Sequence, residues 1–128
     1  MMPATPDTVA NGMHYIKMRG SEVFKFAVSR FADLIDSAVR KAGITLADVG
    51  MVIPHQVNFR IIEAAAKKLD FPMDRVYMNI ERFGNTSAAS IPIALDEAVR
   101  AGRVRKGDLV ILVAFGAGLT WGSCTFRL

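Results

Sequence analysis

The sequence predicts an α/β chain, one layered half in the order β-α-β-α-β-α-β-β, with a mixed five-stranded sheet and helices on its faces. Three observations predict it. Short apolar runs alternate with segments whose apolar residues recur at helical spacing, which implies a mostly parallel sheet with right-handed crossovers. The segment Asp108–Phe115 holds a continuous apolar run, as expected of a strand covered on both faces. Gly116–Gly118 leaves room only for a tight turn, so the last two strands must be antiparallel.

Residues 1–12, with Pro3, Pro6 and the turn signal Asn11-Gly12, read as a tail or linker ahead of one domain, 13–128. Met13–Met18 is the first expected strand. Ser21 is the candidate N-cap of a long helix that carries Phe24, Ala27, Phe31, Leu34, Ile35 and Ala38 at helical spacing. Gly43 ends that helix as a left-handed residue. Thr45-Leu46-Ala47-Asp48 has the form of a capping box around a single turn. Val49–Ile53 is a short buried strand stopped by Pro54, and Asn58 can cap a helix through Leu69 with Phe59, Ile62, Ala66 and Leu69 along one face. Arg75–Ile80 is the third expected strand. Ser87–Ala101 is the third helix, with Pro92 just past the position where proline sits most easily, so its first turn should kink. Asp108–Phe115 and Leu119–Leu128 complete the sheet.

Composition narrows the function. In 128 residues, 52% are hydrophobic, more than a domain of this size needs for its own core, which points to a large subunit interface. A membrane span is excluded because Leu109–Ala117 falls far short of the roughly 20 residues required. Met1–Pro6 has neither a basic nor an apolar region of the secretory type, and a single cysteine suits a reducing cytoplasm. The net charge of +4 gathers at Arg40-Lys41, Lys67-Lys68 and Arg100–Lys106, where helix ends explain it. No aromatic residues interleave with that charge, so nucleic acid is not the expected partner.

Two segments carry chemistry: Ile53-Pro54-His55-Gln56-Val57-Asn58-Phe59-Arg60 and Phe83-Gly84-Asn85-Thr86-Ser87-Ala88-Ala89-Ser90. His55 follows an apolar strand and precedes a helix cap, and ligands of open α/β sheets collect at the carboxyl ends of parallel strands. Asn85 holds the matching place after the next expected strand, beside Gly84, which permits close backbone approach. Taken singly, each has a plainer reading, His55 as a structural hydrogen-bonder and Asn85 as a turn residue. Together they are two neutral donors suited to a thioester oxyanion. Phe115-Gly116-Ala117-Gly118 lacks dinucleotide-loop spacing, and its tight turn can present backbone amides to an oxyanion instead. Cys124 shares a strand face with Phe126 and Leu128 and reads as inert core, not a nucleophile. His14 and His55 lie in separate elements without acidic or cysteine neighbours, so no metal site is expected.

On these residues the chain resembles the C-terminal half of the β-ketoacyl-acyl-carrier-protein synthase III family. The matching segments are Gly20–Lys25, Pro54–Gln56 with Asn58 and Arg60, Gly84–Ser90, and Phe115–Gly122. Val57 and Ser21 depart from the family's usual alanine and asparagine. The resemblance implies one half of a thiolase-like fold, an acyltransferase that works as a dimer, and a cysteine nucleophile on an N-terminal half. It implies that His55 and Asn85 stabilise the enolate formed when a malonyl thioester loses carbon dioxide, and that the backbone N–H of Ala117 helps hold an oxyanion. Gly20, Phe24 and Asn58 would line the coenzyme A or pantetheine tunnel, and Arg60 would dock acyl carrier protein. Acyl-CoA and malonyl-ACP would be substrates, with no cofactor. The chain alone is then expected to be inactive. The alternative is a self-associating half-domain that binds coenzyme A or acyl carrier protein without turnover.

Overall fold

The computed structural model of the chain describes residues 4–15 and 17–128. Eight helices and strands follow in order: α1 (Pro6–Ala10), α2 (Gly20–Ala42), β1 (Val49–Pro54), α3 (Phe59–Lys68), α4 (Ile80–Phe83), α5 (Ser90–Arg100), β2 (Leu109–Gly116) and β3 (Thr120–Arg127), with 3₁₀ turns at Leu46–Asp48, Met73–Arg75 and Ser87–Ala89. The sheet has three strands in the order β1-β2-β3. β1 runs parallel to β2, and β2 antiparallel to β3.

Three layers result. Phe31, Ile35 and Ala38 of α2 and Ile61, Ile62 and Ala65 of α3 pack with Val49, Val52, Ile111 and Val113 on one face of the sheet. Ala94 and Ala98 of α5 pack with Met51, Ile53 and Val110 on the other. Val49 and Met51 are two apart yet serve opposite faces, because the register slips between them. The slip falls at Gly50, where an added Cβ would sit 3.3 Å from the Leu109 carbonyl oxygen.

The local signals are met where the chemistry is local. Gly43 is left-handed at φ 66° and closes α2. Thr45 and Asp48 form a reciprocal capping box, and the Asn58 side chain caps α3 by accepting from the Arg60 N–H at 2.9 Å. The residues expected to be a linker include the short helix α1, closed by Gly12 in the left-handed region.

Several expectations are corrected. Among the described residues the sheet has three strands, not five. Met13–Tyr15 form a turn in place of the first strand, and Ile16 lies outside the described residues. Arg75–Ile80 meets β1 at a single bridge, Val52 to Val76, in place of a strand. The cause is Pro54. Tyr77 donates its N–H to the Val52 carbonyl, and a parallel ladder would next need an N–H at residue 54, which proline lacks. The Gln56 side chain supplies the missing donor to Tyr77, and the chain then turns into α4. Helix α2 begins one residue before Ser21, with Arg19 at the N-cap and no side-chain cap. Helix α5 starts at Ser90 after a 3₁₀ turn, which puts Pro92 inside the first turn, where no backbone donor is lost.

Cys124 is also corrected: it is exposed, not core. The expected alternation of faces holds, since Trp121 meets the Phe26 ring at 5.7 Å on the α2 side while Phe126 packs on the α5 side. What differs is cover. β3 is the edge strand, and α5 reaches only as far as Phe126. The buried stripe of α3 is wider than expected: Ile62 and Ala66 are buried as read, Ile61 and Ala65 join them, and Phe59 is 48% exposed.

Candidate functional site

The carboxyl ends of β1 and β2 lie side by side, with the His55 N–H donating to the Val113 carbonyl at 2.8 Å. Residues after these strands therefore emerge at one end of the sheet. His55 emerges from β1, and Gly116–Leu119 emerges from β2. The Gly116–Leu119 turn uses two left-handed residues, Gly118 at φ 77° and Leu119 at φ 54°. Helix α2 starts at the same end, as Phe26 meets Trp121 and Phe31 meets Phe115 at 5.3 Å near the hairpin. Helix α3 begins three residues after Gln56.

His55 is half-buried and its Nδ1 lies 2.6 Å from Ser90 Oγ. The same hydroxyl accepts the Gln56 backbone N–H at 3.2 Å. Ser90 is 2% exposed and opens α5, so the imidazole is fastened to a helix start on the far side of the loop. Loss of hydration holds the His55 pKa below its ordinary value and favours the neutral ring.

Asn85 follows Gly84, whose φ of 65° and ψ of −160° suit glycine alone. Its Oδ1 accepts the Ser87 N–H at 2.9 Å, an Asx turn that leaves the Nδ2 amino group facing away from that bond. Asn85 itself is exposed. Thus both candidate side chains are tied through one atom to the same short segment, 84–90.

A buried polar strut holds that segment against β1. Gln56 is 1% exposed and makes three bonds: Nε2 to the Pro54 carbonyl at 2.9 Å and the Tyr77 carbonyl at 3.1 Å, and Oε1 from the Asn79 N–H at 3.0 Å. Asn79 Nδ2 donates to Glu97 Oε2 at 2.8 Å, and Arg82 pairs with the other oxygen of Glu97. The hydrogen bond from Asn79, with Arg82 behind it, keeps the Glu97 carboxyl below the usual carboxylate range. Sequence reasoning did not single out Ser90, Gln56, Asn79 or Glu97 as side-chain partners. Gln56 and Ser90 lie inside the two motifs, whereas Asn79 and Glu97 lie outside them.

The other candidates sit at this end of the sheet. Ala117 is exposed in the β2–β3 turn, and its carbonyl accepts from Thr120 Oγ1 at 3.3 Å. Gly20 is the first residue of α2, and Phe24, one turn on, is 37% exposed. Asn58 spends its Oδ1 on the α3 cap, and Arg60 is exposed in the first turn of that helix. Among the described residues, no cluster of three or more His, Cys, Asp or Glu could hold a metal, and no helix is long and apolar enough to cross a membrane.

Comparison with known proteins places this arrangement. Residues 39–128 match the family described as 3-oxoacyl-[acyl-carrier-protein (ACP)] synthase III C terminal. The chain is 52% identical over 126 residues to a β-ketoacyl-[acyl-carrier-protein] synthase III of Symbiobacterium thermophilum, and 54% identical to one of Roseiflexus castenholzii. Each match covers 98% of this chain and 38% of the relative, so the chain spans well under half of their length. A solved synthase III of Thermus thermophilus superposes with a TM-score of 0.85 at 53% identity, over 88% of this chain and 35% of that one. A Pseudomonas aeruginosa enzyme of the same name gives 0.87 at 42% identity, over 99% and 38%. The chain belongs to the 3-oxoacyl-[acyl-carrier-protein] synthase III family, of which it is a C-terminal part.

Proposed function

We propose that this chain is the enolate-stabilising portion of a decarboxylating Claisen-condensing acyltransferase that joins an acyl-CoA primer to malonyl-ACP in the initiation of fatty acid synthesis. The observation that carries the reading is the tethering of His55 and Asn85 to one segment: His55 Nδ1 meets Ser90 and Asn85 Oδ1 meets Ser87. Each side chain then has a nitrogen, Nε2 or Nδ2, left over for a ligand at the carboxyl end of the sheet.

The chemistry follows from those two free nitrogens. In a malonyl thioester the bond from the α-carbon to the carboxylate breaks, carbon dioxide leaves, and the electron pair moves onto the thioester oxygen as an enolate. Two fixed neutral donors lower the energy of that oxygen without giving up their own protons. The enolate α-carbon then attacks an acyl-cysteine thioester. A carbon–carbon bond forms, and the cysteine leaves as thiolate. That cysteine belongs to the N-terminal portion of the enzyme, beyond the residues matched here. The Ala117 N–H faces the second oxyanion. Gly20, Phe24 and Asn58 border the pantetheine path, Arg60 receives the acidic carrier protein, and no cofactor takes part.

The test joins this chain to the preceding portion of the Symbiobacterium thermophilum relative and measures the two half-reactions separately. His55→Ala and Asn85→Ala should each slow malonyl-thioester decarboxylation by ~10²–10³. Acylation of the cysteine by acetyl-CoA should change far less. Equal loss of both half-reactions would contradict the roles given to these residues.

A further inference from the structure

We propose that Ser90 is a positioning residue that fixes the tautomer of His55, holding its proton on Nε2 so that the imidazole is a hydrogen-bond donor and not a base. The argument is an accounting of one buried hydroxyl. Ser90 Oγ has one proton and two lone pairs. It has two partners within reach, the Gln56 N–H at 3.2 Å and His55 Nδ1 at 2.6 Å. A backbone N–H can only donate, so it occupies a lone pair. The hydroxyl proton then has a single acceptor among the described residues, Nδ1.

Were Nδ1 protonated, Ser90 would face two donors, and its own proton would be left without a partner in a residue 2% exposed. A bare Nδ1 accepting from Ser90 satisfies every group, and the neutral ring must then carry its hydrogen on Nε2. The backbone geometry holds the pair in place. His55 is anchored by its N–H to Val113, and Gln56 by its side chain to Pro54, Tyr77 and Asn79, so ring and hydroxyl cannot drift apart. Ser90 is also covalently continuous with the segment carrying Asn85, so one short stretch orients both donors.

The catalytic consequence rests on the proposed function, but the tautomer does not, and the two are tested apart. Two-bond ¹⁵N–¹H correlation spectra of this chain read the His55 tautomer directly, with no substrate present. The native chain should show protonated Nε2 and bare Nδ1. Ser90→Thr, which keeps the hydroxyl, should show the same pattern, and Ser90→Ala should show a mixture of both tautomers. In the joined enzyme Ser90→Ala should lower decarboxylation by roughly 10-fold, about the value of one net hydrogen bond, with Ser90→Thr restoring it. A protonated Nδ1 in the native chain would overturn the proposal, and so would an unaltered Nε2–H tautomer in a folded Ser90→Ala. If Ser90→Ala does not fold, the native and Ser90→Thr spectra decide the matter. Correct spectra with no decarboxylation by the joined enzyme would sink the proposed function and leave the tautomer assignment standing.

Discussion

His55 keeps its neutral form because charging it would strand a cation in a partly dry site. That preference has a pH signature. Its pKa in the folded chain lies below the ordinary 6.5, so as pH falls the unfolded chain takes up the proton first. Unfolding is then favoured, and the stability present above pH about 6.5 is lost progressively below it. Urea midpoints between about pH 7.5 and 5.5 should fall for the native chain and fall less for His55→Gln, which does not titrate. An unchanged slope in the variant would mean that another group governs this window. The two candidates stand out in the sequence because each adjoins a residue with a stated backbone purpose, Pro54 or Gly84, although Asn85 follows the short helix α4 and not the expected strand. Ser90 was not legible as a partner. Its contact with His55 closes 35 residues of chain and exists only once α5 has docked on the sheet.

At the level of elements, several signals contained within a few residues were read correctly, as with the Asn58 cap, the Thr45–Asp48 box and Gly43, whereas the Ser21 cap was not. The sheet was overcounted because strand propensity at Arg75–Ile80 takes no account of its neighbour. Pro54 removes the donor that would have extended the ladder, and the Gln56 amide ends pairing by binding Tyr77 and Asn79 itself. Gln56→Leu would leave the Pro54 and Tyr77 carbonyls and the Asn79 N–H without their partner in the interior. Each such group costs about 1–3 kcal/mol, so a loss of about 3 kcal/mol or more is expected by urea unfolding. A loss under about 1 kcal/mol would mean that water replaces the amide and that the strut is dispensable. Cys124 shows a related limit. Alternation along β3 was right, but alternation cannot tell whether a second layer covers the edge.

Across the whole molecule, the surplus of apolar residues inferred from composition appears as exposed side chains. Leu119 is 55% exposed, Trp121 49% and Phe59 48%, and Trp121 and Leu119 lie at the hairpin beside the candidate site. In a chain spanning 38% of its relatives' length, such a surface suits the remainder of the enzyme or a second copy of this chain. Light scattering of the isolated 14.0 kDa chain should therefore report self-association, and Leu119→Lys should weaken it. A well-folded monomer over a wide range of concentration would contradict that expectation. The central claim is that one imidazole and one carboxamide serve a single thioester oxygen. A crystal structure of the joined enzyme with a non-decarboxylating malonyl-thioester analogue tests it most directly. The thioester oxygen should lie roughly 2.7–3.1 Å from both His55 Nε2 and Asn85 Nδ2. An oxygen held by only one of them, or by neither, would contradict the account.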